Sequence, residues 1–168
     1  VRLLQAAYHN RSLALYTRLG FNVRDILSAL QGPAIHTQID GIGVRAATPE
    51  DVAICESLHL ETHGHGRRQE LEDAILNGTA MVAEEDGGII AYCSAMGFGG
   101  FAVSQSNEGL KALIGNADEF IGPGILVPSG NGEVMRWCFE HGLRIVQQMT
   151  IMTKGFYQRP NSSYTPSI

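Results

Sequence analysis

The chain alternates between apolar runs of strand length and segments in which apolar residues recur every three or four positions. Residues 1–8 form a mostly apolar run, and Leu13, Tyr16 and Leu19 then repeat at helical spacing. Residues 21–30 return to a strand pattern. Because side chains repeat at a period of two in strands and 3.6 in helices, this part of the chain predicts strand, helix and strand.

Residues that start and stop helices support these boundaries. Asn10 is expected to cap the first helix, since its short amide side chain accepts hydrogen bonds from first-turn N–H groups. Gly20 is expected to end that helix, because glycine adopts the left-handed conformation without a Cβ clash. Thr48 and Pro49 predict a second helix start, with threonine as cap and proline at the first helical position.

The rest of the chain predicts strands and helices in mixed order. Residues 33–42 are rich in turn formers and are interpreted as a linker. The predicted strands are 44–47, 79–83, 89–96, 101–103, 124–127 and 143–153. One predicted helix starts at Thr48, with Val52, Cys55 and Leu58/His59 on its inner face, and the others are 67–76, 107–117 and 132–141; the tail 157–168 is expected to be extended. This order predicts an α+β (mixed α/β) fold with a central mixed sheet flanked by helices.

The two ends of the chain resemble each other. Residues 1–23 and 124–146 both show a strand, a turn containing asparagine, a helix, a glycine and a strand, with an apparent offset of one residue before the helix. Since only two copies fit, the similarity indicates a duplication and not a longer repeat array.

Composition narrows the possible partners. The 168 residues carry 12 Lys+Arg and 17 Asp+Glu, a formal charge of −5, and 44% apolar residues. The negative charge and the lack of basic runs argue against nucleic acid as a partner. No apolar run approaches the roughly 18 residues of a membrane span. The three separated cysteines form no CxxC pair, so we expect buried thiols and a cytoplasmic protein.

One segment resembles a known family. Residues 10–21, with Asn10, Tyr16, Gly20 and Phe21, resemble the helix-and-strand end of GNAT (GCN5-related) acetyltransferases. The stretches AMVAEEDG, GPGILVP, MRWCFEHGL and YTPSI resemble the C-terminal part of tandem two-domain GNAT proteins.

On this resemblance the chain divides into three parts. Residues 1–32 are the terminal strand-helix-strand of a first GNAT-like domain whose upstream part precedes Val1. Residues 33–42 are the linker, and residues 43–168 are a second, degenerate GNAT-like domain. The expected fold is accordingly the GNAT (acyl-CoA N-acyltransferase) fold.

The resemblance also implies a chemistry. A GNAT enzyme holds acetyl-CoA between two splayed strands and transfers the acetyl group to an amine. It implies that Tyr16 is the general acid for the departing thiolate and that Asn10 contacts the cofactor. We therefore expect an N-acetyltransferase that uses acetyl-CoA as co-substrate and acts on an unidentified small-molecule or peptide amine.

Several family features are missing from the sequence. The family's pyrophosphate loop, R/Q-x-x-G-x-G/A, would precede Val1 in the first copy. In the second copy, residues 97–109 contain no such loop, and Glu108 would repel phosphate. Cys138 falls opposite Tyr16. The alternative is therefore a non-catalytic GNAT-like module, a scaffold, substrate-pocket or dimerisation domain.

The apolar strands 1–8 and 21–30 of a partial domain would leave open edges. These edges are expected to pair with another chain or to fold onto the second copy. On this ground we expect a homodimer.

Other motifs are assigned weaker roles. Cys55, His59 and His63 lie at helical spacing, and His65 follows, but the HExxH pattern fails and no metal site is predicted. The segment from His65 to Leu71 resembles an HG…R…EL pattern of tandem GNAT proteins, which favours a pocket or interface role. The Gly97 cluster fails the G-x-G-x-x-G pattern, and Cys138 has no partner base, so both are interpreted as structural.

Overall fold

The computed structural model describes residues 1–167, so the last position of the predicted tail 157–168 and of the YTPSI stretch lies outside the described residues. The strands are β1 (Arg2–Ala6), β2 (Asn22–Gln31), β3 (Ile42–Ala46), β4 (Met81–Glu85), β5 (Gly88–Cys93), β6 (Ala102–Ser104), β7 (Ile125–Pro128), β8 (Arg144–Thr153) and β9 (Ser163–Thr165). The helices are α1 (Asn10–Arg18), α2 (Val52–His63), α3 (Arg68–Leu76), α4 (Asn107–Gly115) and α5 (Gly132–Glu140), with a 3-10 turn, Pro49–Asp51, before α2.

Helix ends follow the predicted signals with two differences. Thr48 caps its helix as expected, and Asp51 completes a capping box by accepting the Thr48 backbone N–H at 2.8 Å. The prediction that Asn10 caps α1 is wrong. His9 occupies the cap position without a side-chain hydrogen bond, and Asn10 is already helical. Helix α2 begins at Val52, after the 3-10 turn and not at Thr48, and it ends at His63, so Cys55, His59 and His63 lie on one helix as their spacing indicated.

Five strands form one antiparallel sheet in the order β3-β4-β5-β6-β9. Helices α2 and α3 cover one face, where Cys55, Leu71 and Tyr92 belong to one apolar cluster. Helix α4 covers the other face, where Leu110 and Leu113 are fully buried. The alternation of buried residues along the strands thus fills two cores, one on each side of the sheet.

The other four strands form a second antiparallel sheet in the order β1-β8-β2-β7. The α+β class is confirmed. The strands make two antiparallel sheets. Outside the named strands, Gly97 and Ile121 form an isolated parallel bridge.

This second sheet has an internal two-fold relation. At its centre, Leu27 of β2 pairs with Met149 of β8. The difference in residue number between Leu27 and Met149 is the same as that between the positions of α1 and those of α5. The offset of one residue that the sequence suggested before the helix is wrong. It arose because Asn131 caps α5, whereas the equivalent cap position of α1 is held by His9.

The strands of residues 1–32 pair with those of the remaining chain. β2 lies between β8 and β7, and β1 pairs with β8 on one side. Of the two outcomes expected for these open edges, the structure therefore has them folded onto the rest of the chain. The assignment of residues 1–32, 33–42 and 43–168 to separate domains stays a prediction.

Within residues 1–167, no helix has both the length and the apolar character that crossing a membrane requires.

Candidate functional site

The two site residues predicted from sequence lie on α1. Asn10 is exposed at the first position of the helix, and Tyr16 is half-buried further along it. At about 1.5 Å of rise per residue, they are roughly 9 Å apart along the helix axis. The ring of Tyr16 packs edge-on against Phe21, with centroids 5.9 Å apart. Asn10 and Tyr16 thus lie on one helix without contacting each other.

A second candidate location is the gap between β6 and β7, where the two sheets separate. The chain's own strand β9 lies there. Val103 of β6 faces Tyr164 of β9 in an antiparallel ladder, and β9 also contacts β7. The backbone N–H and C=O groups at this edge of β6 are paired with β9. A bound molecule would therefore have to displace β9 in order to form hydrogen bonds with this edge.

The helix that follows β6 is also closed to an anion. Ser106 caps α4, its side chain accepting the Gly109 N–H at 3.1 Å. Glu108 stands in the first turn and pairs with Lys111 at 2.7 Å. A pyrophosphate would have to displace the cap and face this carboxylate, so residues of the C-terminal part do not fit the phosphates of acetyl-CoA.

Cys138 occupies the place in α5 that Tyr16 has in α1. Its thiol is fully buried and free, and burial raises its pKa to about 12. A protonated, buried thiol is neither a nucleophile nor an acid for an exposed substrate, which agrees with the structural interpretation from sequence.

A polar cluster that the sequence only hinted at lies where α2, β1 and the C-terminal tail meet. The rings of His59 and His63 are 4.6 Å apart, centroid to centroid, and His65 is 5.3 Å from His59. The His59 Nδ1 and the Tyr92 hydroxyl share a hydrogen bond of 2.8 Å. Tyr164 of β9 packs edge-on against His63 at 5.2 Å.

Burial favours the neutral forms of His59, His63 and Tyr164. Desolvation, with the charge of His63 as the next cause, lowers the pKa of His59 to about 2. Desolvation, followed by the charge of Arg2, lowers the pKa of His63 to about 3. The pKa of Tyr164 is raised by burial and by neighbouring Asp25, whose carboxylate accepts the Tyr164 hydroxyl at 3.1 Å.

Two cavities adjoin the cluster and share Arg2 and His65 as lining residues. The first, of about 260 Å³, is lined also by Val1, His63, Thr153, Phe156, Tyr157 and Gln158. The second, of about 300 Å³, is lined also by Leu3, Leu4, Gly66, Arg67, Glu70 and Ser167. We call the two cavities together the junction pocket. It agrees with the pocket role expected for the segment from His65 to Leu71.

The cysteine and the histidines do not assemble into a metal site. Cys55 is buried in the apolar cluster under α3, and burial raises its pKa to about 12. Within the part of the chain that the structure describes, no group of three or more His, Cys, Asp or Glu side chains is arranged to hold a metal ion.

Sequence analysis missed Arg2, Tyr164 and Ser167. Arg2 and Ser167 line the junction pocket, and Tyr164 packs against His63 beside it. Arg2 reaches this place through the pairing of β1 with β8, and Tyr164 through the pairing of β9 with β6. Tyr164 and Ser167 belong to the YTPSI stretch, but no local spacing connects that stretch to His65 and Arg67.

Comparisons with known proteins identify the fold. No protein-family model matches the chain, and no curated protein matches its sequence. A proposed acetyltransferase from Pyrococcus horikoshii is similar in structure, with a TM-score of 0.72 and 13% identity over 99% of this chain and 58% of that one.

Two further solved structures have the same fold. A GCN5-related N-acetyltransferase from Sphaerobacter thermophilus aligns with a TM-score of 0.52 and 14% identity, over 100% of this chain and 61% of that one. A GNAT-family acetyltransferase from Colwellia psychrerythraea aligns with a TM-score of 0.52 and 14% identity, over 90% and 64%. The chain therefore has the fold of GNAT acetyltransferases and spans about three fifths of the length of these structures.

Proposed function

We propose that this chain is part of a GNAT-like N-acetyltransferase that moves the acetyl group of acetyl-CoA to an amine. The observation that carries the proposal is the shared fold over nearly the whole chain, together with the unit in which β1 leads directly into the helix that holds Tyr16. The three buried, free cysteines support a cytoplasmic location for this activity.

In the proposed reaction a neutral amine attacks the thioester carbonyl directly. A C–N bond forms, the C–S bond breaks, and the amine loses one proton while the departing thiolate gains one. The Tyr16 hydroxyl would supply the proton to the thiolate, and the exposed Asn10 amide would contact the cofactor. Because an ammonium group has no lone pair to attack with, activity is expected to rise with pH as the acceptor loses its proton.

The N-terminal unit, and not the C-terminal part, is the proposed place of the reaction. One edge of β1 is unpaired among the described strands, whereas β9 lies against β7, the equivalent of β1, and pairs with β6. The equivalent of Tyr16 in the C-terminal part is the buried Cys138.

The test is an acetylation assay with a panel of amines, paired with a thermal-shift titration of acetyl-CoA. Ligand at 100 times its dissociation constant adds about 2.7 kcal/mol to the stability of the folded chain. Tyr16→Phe should keep this shift and lower kcat by about 10²- to 10⁴-fold, the usual contribution of a general acid. Tyr8→Phe is the matched control, since Tyr8 is 69% exposed just before the same helix. Equal kcat for the two variants would remove Tyr16 from the mechanism.

A second candidate function is favoured by the position of β9. On this alternative the chain is a non-catalytic GNAT-like module that supports a partner domain, because its own strand fills the gap between β6 and β7. It predicts no thermal shift and no acetylation at millimolar acetyl-CoA. A saturable shift that survives Tyr16→Phe would reject it.

A further inference from the structure

We propose that the junction pocket binds a small organic carboxylate whose anionic group pairs with the guanidinium of Arg2. This inference concerns a site separate from Tyr16, and it stands whether or not the chain transfers acetyl groups.

The first observation concerns the guanidinium of Arg2, which is unpaired among the described residues. Its half-buried guanidinium lines both cavities, and among residues 1–167 it has no ion-pair or hydrogen-bond partner. Burial lowers its pKa, and the nearby charge of Arg67 lowers it further. A charge taken partly out of water without a partner is costly, so an anion that enters the pocket recovers that cost.

Glu70, an acidic residue of the pocket wall, already forms an ion pair. Glu70 lines the second cavity, but its carboxylate accepts both Nε and Nη2 of Arg67 in a two-point ion pair. Arg67 also donates to the Ser167 hydroxyl at 2.6 Å and stacks 4.1 Å above the Phe101 ring. Among the described residues, Arg2 is therefore the guanidinium that lines both cavities without an ion pair.

The neighbouring histidines are not satisfied by the protein either. The Nδ1 atom of His63 and the Nε2 atom of His59 are buried and have no hydrogen-bond partner within the described residues. Buried polar atoms are paired in the large majority of cases, so two orphans next to a free guanidinium indicate that the polar cluster is incomplete. The His63 ring forms part of the wall that Arg2 faces.

The walls and the charge select the ligand class. Leu3 and Leu4 on one side and Phe156 and Tyr157 on the other give the pocket apolar surfaces around the charged centre. Each cavity is close to the lower end of small-molecule sites, which begin at about 300 Å³. A single guanidinium matches a planar monoanion in a two-point geometry. A phosphate, with its charge of about −1.5 to −2, is matched less completely by one guanidinium.

The experiment is a fluorine NMR titration of the chain with a matched pair of probes. 4-Fluorophenylacetate carries an aromatic body and a carboxylate, and 4-fluorophenylacetamide has the same shape without the charge. The carboxylate is expected to bind at least tenfold more tightly than the amide. Equal affinities would overturn the proposal, because the pocket would then recognise only the apolar body.

Variants localise the binding. Arg2→Gln should weaken the carboxylate at least tenfold and leave the amide unchanged. Arg144→Gln, which removes an exposed arginine at the start of β8, should affect neither probe. Thermal unfolding of each variant establishes that it is folded. Unchanged carboxylate binding in folded Arg2→Gln would place the ligand elsewhere and refute the assignment.

A competition arm separates the two kinds of oxyanion. Acetate is expected to displace 4-fluorophenylacetate, and inorganic phosphate at the same ionic strength is expected to be at least tenfold weaker. Stronger displacement by phosphate than by acetate would overturn the carboxylate class.

Discussion

At the scale of single residues, His63 makes stability depend on pH. Its folded-state pKa is about 3, below the ordinary value of 6.5, so between these values the unfolded chain binds more protons. The stabilisation is complete above pH 6.5 and is lost as the pH falls towards 3. The expected slope is about 1.4 kcal/mol per pH unit for each buried histidine.

Replacing this histidine should flatten the acid limb of the stability curve. His63→Phe keeps an aromatic ring against Tyr164 and removes the titrating group. The free energy of unfolding, measured with urea between pH 6 and pH 4, should then fall about 1.4 kcal/mol per pH unit less steeply. His9→Gln, which replaces an exposed histidine, should leave the slope unchanged. The same slope in His63→Phe and the parent chain would contradict the burial argument.

The second prediction at this scale concerns Asp51. Two Arg45 nitrogens donate to its carboxylate at 2.7 and 2.9 Å, and Arg45 is the largest cause that lowers its pKa to about 2. Asp51→Asn should lower the free energy of unfolding by about 1 to 2 kcal/mol, the range of a helix cap and a half-exposed ion pair. Glu50→Gln, which changes an exposed carboxylate one residue away, should lower the free energy of unfolding clearly less. Similar losses in both variants would contradict the bonding described for Asp51.

At the scale of elements, the hairpin of β4 and β5 depends on its turn. Asp86 and Gly87 both have positive φ, 49° and 80°, the geometry that matches the twist of paired strands. Gly87→Ala should lower the free energy of unfolding by about 1 kcal/mol or more, because a Cβ at this φ is strained whatever the space around it. Gly88→Ala is the matched control. The φ of Gly88 is not positive, and a Cβ added there would lie 3.7 Å from its nearest neighbour, the Glu85 carbonyl oxygen. The variant should therefore be neutral or stabilising in the same urea titration.

At the scale of the whole molecule, β2 connects the two ends of the chain. It pairs with β7 and β8, so residues 1–32 and the remainder share one sheet. We expect one cooperative unfolding transition, with Trp137 fluorescence and far-ultraviolet circular dichroism giving the same midpoint. Deleting residues 1–32 should abolish that transition, since β7 and β8 would lose the strand between them. Two separated midpoints in the full chain would show that the parts unfold independently.

Homodimerisation stays a prediction at this scale. The sequence argument for a dimer was that the strands of residues 1–32 leave open edges. Among the described strands, β1 has one unpaired edge, whereas both edges of β2 are paired. Leu15 on α1 and Leu19 at its C-cap are exposed and add apolar surface to the same unit. Light scattering on the purified chain measures the mass directly, and a monomer over the micromolar range would remove the prediction.

Much of the architecture could be predicted from the sequence because its signals are local. The repeat of Leu13, Tyr16 and Leu19, the helix end at Gly20 and the Thr48 cap each act within a few residues, so strands and helices fall close to the predicted ranges. The Asn10 cap failed for a local reason as well. Two neighbouring polar residues compete for one cap position, and here His9 holds it.

The sequence by itself determined the order of strands and helices up to β8, the capped helix start at Thr48 and the similarity of the two chain ends. Only the tertiary structure decided that β9 fills the gap beside β6 and that Arg2 meets His63 and His65. These contacts join residues more than fifty positions apart, and their formation depends on which strand edges are left to pair once the cores are buried. No periodicity along the chain encodes that choice.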